Sequence, residues 1–313
     1  MPRVRFGDFA SELRVGESTL DALLRSGAAV SYSCKAGSCG SCMLRAVEGG
    51  IPATAQTGLK DSWKVRGYFL ACVCHPEEDM TCAPVDADAQ VPAHILSMDA
   101  LSADVVRLRL GCDAPFEFSA GQYVTMVRAD GLARSYSIAS LPEEGFLELQ
   151  VRCLPNGRMS EWIRKDAQIG DTVKVLGPSG DCFYVPGKPE QPLILIGTGT
   201  GLAPLYGILR DALSHGHSGP IHLFHGAMRE EGLYLREELA ELAAVKSNFE
   251  YVPSLLHSDG PIDQVVLKRF PKPAGSRAFL CGDPSIVQAL KKKLFLHGME
   301  LRDIHADAFL PAA

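Results

Sequence analysis

Four cysteines, Cys34, Cys39, Cys42 and Cys72, stand in the order C-x4-C-x2-C with the fourth well downstream. That spacing is the ligand set of a plant-type [2Fe–2S] cluster. The first three lie on one short loop, Tyr32-Ser-Cys34-Lys-Ala-Gly37-Ser-Cys39-Gly40-Ser-Cys42, built largely of small residues. Three thiolates on such a loop must converge on a cluster whose sulfides need backbone N–H donors. Gly37 and Gly40 allow the positive φ angles and close approach that this wrap requires.

Other readings of the same cysteines fail on detail. A structural zinc site would use two C-x2-C knuckles, and only Cys39 and Cys42 form one. A thioredoxin-like pair would open a helix after a strand, without Cys34 upstream. A Rieske centre pairs histidines with cysteines, and His75 has no counterpart in the 34–42 loop. Cys72 and Cys74 both stand as candidates for the fourth ligand, and on a strand they would face the same side. The ferredoxin pattern places it at Cys72, in Phe69-Leu-Ala-Cys72.

The length of 313 residues predicts two domains or three small ones. A net charge of −6 without any basic run argues against nucleic acid as a partner. No apolar stretch approaches the roughly 18 residues of a membrane span. Met1-Pro-Arg-Val-Arg-Phe-Gly-Asp has no apolar core and does not read as a signal peptide. The 10 cysteines then read as cluster ligands plus scattered reduced thiols, Cys82, Cys112, Cys153 and Cys182 among them. A cytoplasmic protein is expected.

Three changes of character divide the chain. Residues 1–83 carry the cysteine motif, with short strands expected at Val4–Phe6 and Leu13–Val15 around Gly7-Asp8 and a helix at Thr19–Ser26. Pro84–Pro92 is polar and proline-bounded, a linker. Residues 93–188 read as antiparallel β-barrel: Val105–Leu110, Leu147–Val151 and Thr172–Leu176 alternate between Gly, Pro and Asp turns. A helix at Ser160–Lys165, capped by Ser160, interrupts them. Residues 189–313 alternate strand and helix around the apolar run Pro192–Gly197, a parallel-sheet α/β domain. Its expected helices are Leu202–His215, Leu233–Ala244 and Ser285–His297, and its later strands Ile221–His225, Glu250–Pro253 and Arg277–Cys281.

Arg134-Ser135-Tyr136-Ser137 follows the strand-like Gln122–Met126. An arginine can meet a cofactor phosphate, a tyrosine can cover a flavin, and a hydroxyl can reach its ring nitrogens. Further on, Arg152-Cys-Leu-Pro-Asn-Gly157-Arg-Met159-Ser160 sets a glycine turn before a helix whose N-terminus suits a pyrophosphate. Gly197-Thr198-Gly199-Thr200-Gly201 is not the G-x-G-x-x-G fingerprint, yet it joins a buried strand to a helix with Pro204 in its first turn. Three glycines there let backbone N–H groups approach a dinucleotide.

In their order Arg134–Ser137, Gly157–Ser160, Gly197–Pro204 and Cys281-Gly282-Asp283-Pro284 resemble the ferredoxin–NADP reductase superfamily. With the N-terminal cysteine module, the whole chain resembles the reductase components of bacterial Rieske oxygenases, of the benzoate dioxygenase reductase kind. The resemblance implies a β-grasp ferredoxin domain, a FAD-binding barrel and a nicotinamide-nucleotide domain. It implies that Arg134, Ser135, Tyr136, Ser137 and Arg152 belong to the flavin site, and that Gly157, Met159 and Ser160 bind the FAD pyrophosphate. It implies that the 197–201 loop and Cys281–Pro284 line the nicotinamide pocket, and that Phe309 stacks over the flavin. Ser137, Cys281 and Phe309 are then the residues nearest the reacting atoms, and no catalytic base is assigned. After the second strand of the last domain, Arg229 favours NADPH and Glu230-Glu231 favour NADH; the resemblance leans to NADH.

A nicotinamide gives two electrons as hydride and a cluster accepts one, so a flavin must stand between them. The expected path runs from NADH through FAD and [2Fe–2S] to an external acceptor protein, a terminal oxygenase. A sugar-deoxygenating acceptor, or a redox sensor without turnover, are the competing readings.

Overall fold

The computed structural model describes residues 1–86 and 89–310. The first sheet joins β1 (Arg3–Phe6), β2 (Phe9–Glu12), β3 (Met43–Glu48), β4 (Tyr68–Leu70) and β5 (Met80–Ala83) in the order β2-β1-β5-β3-β4. β1 and β5 run parallel and the other pairs antiparallel. The return strand is Phe9–Glu12, not the expected Leu13–Val15. Phe6 pairs directly with Phe9 across a two-residue turn in which Gly7 takes φ 56, so the hairpin closes at once. Leu13 instead drops into the core, and Val15 is exposed. Helix α1 (Thr19–Arg25) packs across the sheet with Ser18 as its cap, accepting from Asp21 N at 3.2 Å. A short helix α2 (Asp61–Val65) precedes β4. Tyr68 and Phe69 are fully buried beneath it all.

The expected linker is shorter than 84–92. Tyr68 Oη donates to Asp86 at 2.9 Å, tying its start to the first module. At its far end Val91 and Pro92 already pair with Val175 and Lys174. A proline at the second strand position keeps its carbonyl useful, here accepting from Asp113 N at 2.9 Å. Ala87 and Asp88, in the middle of that stretch, lie outside the described residues.

The second sheet contains β6 (Val91–Ala100), β7 (Val105–Cys112), β8 (Tyr123–Val127), β9 (Ala133–Ser137), β10 (Leu147–Arg152) and β11 (Thr172–Ser179). Its order is β10-β7-β6-β11-β8-β9, antiparallel throughout. A bridge from Ile138 to Leu149 brings the two edges together, making the barrel. Helix α3 (Arg158–Lys165) begins before Ser160, with Gly157 at the cap. Ser160 therefore sits in the first turn, where its hydroxyl donates to Gly157 O and accepts from Leu154 N, both at 3.2 Å.

The third sheet is wholly parallel: β12 (Leu193–Thr198), β13 (Ile221–Ala227), β14 (Phe249–Leu255), β15 (Arg277–Gly282) and β16 (Ile304–Ala308), in the order β14-β13-β12-β15-β16. Helices α4 (Leu202–Ser214), α5 (Arg236–Val245), α6 (Leu256–Asp259), α7 (Ile262–Arg269) and α8 (Pro284–Leu296) connect and cover the strands. Helix α5 starts later than expected because Leu235 adopts φ 56, which a helix cannot include. Strand order reverses at β12, so the carboxyl ends of β12 and β15 frame a crevice where ligands bind in such sheets.

Candidate functional site

The cysteine loop carries no regular structure; positive φ at Lys35 (51), Gly37 (74) and Gly40 (76) coils it tightly. Its thiols form two pairs. Cys34 faces Cys39, and with the N–H groups of Ala36, Ser38 and Cys39 this holds the Cys34 thiol down to about 5 while Cys39 is pushed up. Cys42 faces Cys72, whose thiol is lowered by that partner and by the Gly37 N–H, while Cys42 is pushed up. Among the described residues no three Cys, His, Asp or Glu groups converge as they would on a single ion. Two thiols per iron fit a two-iron cluster instead, and the N–H groups aimed at sulfur fit its thiolates.

Cys74 does not face the same side as Cys72. The segment Ala71–Val73 is a 3₁₀ turn and not a strand. The turn sends Cys74 into the core, fully buried, where desolvation pushes its thiol up to about 11, and its carbonyl accepts from Thr19 N at 2.8 Å.

Beside this loop opens one cavity of about 1720 Å³. It runs from Cys34 and Cys39 along β9 and the N-terminus of α3 to the carboxyl ends of β12, β13 and β15. Single small-molecule sites span about 300–1,000 Å³, so this one has room for more than one ligand. All of 134–137, with Arg152 and 157–160, reach its wall, as do 198–200, Gly282, Asp283 and Phe309. Gly197, Gly201, Cys281 and Pro284 do not.

The glycines of the 197–201 loop divide their work. A Cβ on Gly201 would lie 2.2 Å from Cys281 O, and one on Gly197 would lie 2.7 Å from Leu205 Cδ1. Those two let strand, turn and helix close on one another, whereas Gly199, with φ 55 and open space beside it, faces the cavity.

Several expected roles look different in place. Arg134 Nη1 donates to the carbonyls of Tyr32 (3.0 Å) and Ala133 (2.7 Å), which ties β9 to the cysteine module. Arg152 pairs with Asp104 at 3.2 Å. The Met159 side chain packs in the barrel core. The Asp283 carboxylate caps α8, accepting from Ser285 N at 2.9 Å and Ile286 N at 3.2 Å. Pro284 opens that helix. The Cys281 thiol lies behind the wall, 3.6 Å from Cys182 Sγ, and burial pushes it far above its ordinary range.

Sequence reasoning missed Asp307. It sits on β16, and its carboxylate accepts from Ser137 Oγ at 3.3 Å where barrel and nucleotide sheet meet. Burial pushes it up to about 6, against the lowering effect of that hydrogen bond. The only hint was a lone carboxylate in Ala306-Asp-Ala-Phe309. Phe309 N donates to Gly282 O at 2.8 Å, which carries the strand pairing to the cavity rim. At the opposite end Glu231 and Arg229 line the wall, while Glu230 is taken up by an ion pair with Arg236.

A cluster loop, a flavin-type barrel and a parallel nucleotide sheet around one cavity define a class: iron–sulfur flavoprotein oxidoreductases using a nicotinamide nucleotide. Residues 9–77 match the 2Fe-2S iron-sulfur cluster binding domain family, 92–184 the oxidoreductase FAD-binding domain and 195–292 the oxidoreductase NAD-binding domain. The chain is 35% identical over 314 residues to the ferredoxin–NAD(P)+ reductase component of the naphthalene 1,2-dioxygenase/salicylate 5-hydroxylase systems of a Ralstonia species, covering 95% of this chain and 94% of that one. It is 34% identical, at the same coverage, to the reductase component of the Pseudomonas putida naphthalene 1,2-dioxygenase system. The crystal structure of the Amycolatopsis cytochrome P450 reductase GcoB superposes with a TM-score of 0.71 at 32% identity, covering 100% of both chains. The chain belongs to this family of oxygenase-system reductase components, which join a [2Fe–2S] ferredoxin domain to FAD- and NAD-binding oxidoreductase domains.

Proposed function

We propose that this chain takes reducing equivalents from NADH in preference to NADPH and delivers them singly to a separate terminal oxygenase that hydroxylates an aromatic ring. FAD when bound converts a hydride into single electrons, and the [2Fe–2S] cluster carries them one at a time. The observation that carries the reading is the single cavity joining the β12 and β15 ends to the cysteine loop. Gly199, Thr200 and Gly282 receive the nicotinamide nucleotide, and Tyr136, Ser137 and Phe309 the flavin ring. Gly157 and the N-terminus of α3 hold its pyrophosphate. Cys34, Cys39, Cys42 and Cys72 hold the cluster. The working units are 1–83, the linker 84–92 shortened at its end as described, 93–188 and 189–313. Its place is the cytoplasm; among the described residues no helix is long and apolar enough to cross a membrane.

The test is an anaerobic absorbance spectrum of the purified protein before and after NADH. Bleaching of both the flavin bands and the broader cluster shoulder supports the whole chain of carriers. A protein whose iron content and cluster absorbance are nil after reconstitution, or whose flavin does not bleach, overturns it.

A further inference from the structure

The cysteine loop touches the barrel through its backbone. Tyr123 Oη donates to Ser38 O at 2.7 Å, and Thr125 Oγ1 donates to Cys39 O at 3.2 Å. The Ser135 hydroxyl reaches the same Cys39 carbonyl and lies 3.0 Å from Thr125 Oγ1. Close approach here depends on Gly40, where a Cβ would meet Thr125 Oγ1 at 3.3 Å and φ is 76. Leu176, from β11 of the barrel, is buried in the same core as Cys42 and Cys72.

These contacts share one sheet face. Thr125 pairs opposite Ser135 and Tyr123 opposite Ser137, so all four side chains leave the β8–β9 ribbon on the same side. Ser137, at one end of the row, meets Asp307 in the middle of the cavity. Ser135 and Thr125, two residues further along, hold Cys39 O. Two strand residues span roughly 7 Å. The strand that lines the proposed flavin site therefore also grips the cluster loop. A carbonyl is joined to its own Cα by two bonds, so anchoring Cys39 O anchors that cysteine's sulfur far better than a contact between two flexible side chains.

We propose that Tyr123, Thr125 and Ser135 are positioning residues that clamp the Cys34–Cys42 loop onto the β8–β9 ribbon, keep the ferredoxin module docked during turnover, and set the rate at which electrons reach the cluster. This rests on the electron-carrier reading above. Tunnelling falls exponentially with distance, so a loop released by even an ångström or two slows cluster reduction and leaves the nicotinamide step untouched.

The experiment compares Thr125→Val, Tyr123→Phe, their double variant and the conservative Thr125→Ser in the holoprotein. Hydrogen–deuterium exchange reads the 34–42 backbone, and anaerobic stopped-flow mixing with NADH reads flavin and cluster bleaching separately. The double variant is expected to exchange roughly ten-fold faster at 36–42 and to reduce its cluster roughly ten-fold more slowly. Flavin bleaching should be unchanged, and Thr125→Ser should behave as wild type. Unchanged exchange and unchanged cluster reduction in the double variant overturn the clamp. So does a Thr125→Ser variant as impaired as Thr125→Val, since the hydroxyl then is not the operative group. A wild-type cluster that NADH does not bleach would overturn the electron-carrier reading instead, while the exchange data still decide whether the clamp exists. If the double variant fails to fold, the two single variants carry the same comparison.

Discussion

The barrel has two seams, and they are built differently. Toward the ferredoxin module its hydroxyls and a guanidinium bind backbone carbonyls: Ser38, Cys39 and Tyr32. Toward the nucleotide module most contacts join side chain to side chain: Arg107 with Glu238 at 3.3 Å, Arg210 with Glu144 at 2.6 Å, Tyr234 with Gln150 at 2.9 Å and Ser137 with Asp307 at 3.3 Å, beside one bond from Arg277 Nη1 to Val185 O at 3.2 Å. Backbone contacts fix where a metal centre sits whatever rotamers surround it. Pairs of side chains tolerate small adjustments while a dinucleotide enters and leaves. One seam is anchored on main-chain carbonyls and the other rests mainly on side-chain pairs, and each of the following substitutions tests a side of that contrast.

The largest effect belongs to the ferredoxin side. Cys72→Ser should abolish the cluster, with NADH-driven cytochrome c reduction falling by about two orders of magnitude. Electron transfer to ferricyanide, which a flavin alone can serve, should persist. Cys74→Ser should keep the cluster, because that thiol is fully buried in the core and takes no part in the Cys34–Cys39 and Cys42–Cys72 pairs. Iron analysis and the two assays together separate these outcomes, and loss of iron in Cys74→Ser would reverse the assignment.

On the nucleotide side the leading effect is Asp307→Asn. The Asp307 carboxyl is held above its ordinary value, so ionising it costs the folded protein. That penalty is absent below about pH 4, grows as pH rises through about 6, and is complete above it. The amide removes it, stabilising the protein on the order of 2 kcal/mol at pH 8 and by nothing near pH 4. Urea unfolding across that range checks the sign. A stabilisation that instead grows toward low pH would show that Asp307 is ionised favourably. Glu148→Gln should act on the same joint with the opposite sign. Glu148 is 3% exposed and is flanked by Arg107 at 3.5 Å and Arg109 at 3.1 Å. Losing its charge beside two partly exposed arginines costs about 1–2 kcal/mol. The loss should appear in unfolding of the flavin and nucleotide modules and leave the cluster spectrum intact.

How much was readable from sequence follows the same division. The cysteine spacing and the glycine-rich turn are local signatures, and each points to the right module. Element type held wherever apolar periodicity was strong, as in β12 and α4. What failed depended on contacts from afar. Strand β2 moved because a tight turn at Gly7 outweighed the apolar pattern of Leu13–Val15. Helix α7 and strand β16 were not anticipated. Ile304-His-Ala-Asp-Ala is an edge strand with too little apolar alternation to stand out, and Asp307 went unread with it. The ferredoxin pattern already placed the fourth ligand at Cys72; what it did not show is the 3₁₀ turn at Ala71–Val73, which replaces the strand on which Cys72 and Cys74 would have faced the same side. Neither seam was legible, since a serine or threonine that binds a carbonyl a hundred residues away looks like any other.

The smallest expected effect lies at the far rim of the nucleotide side, where, on the reading proposed above, exposed charges choose between NADH and NADPH. Glu231 lines the cavity there and Glu230 is neutralised by Arg236. Arg229 makes no ion pair among the described residues. A 2′-phosphate arriving at this rim meets one cation and one active carboxylate. Glu231→Gln should therefore lower KM for NADPH roughly two- to five-fold and leave KM for NADH nearly unchanged. Arg236→Ala releases Glu230 and should raise KM for NADPH by a similar factor. Both effects should shrink as salt is added, because the Debye length is only about 8 Å at 0.15 M ionic strength. Cluster reduction by NADH should not change in either variant. If it did, charge at the nucleotide rim would be felt at the ferredoxin seam, and the two seams could not be the independent structures that their bonding describes.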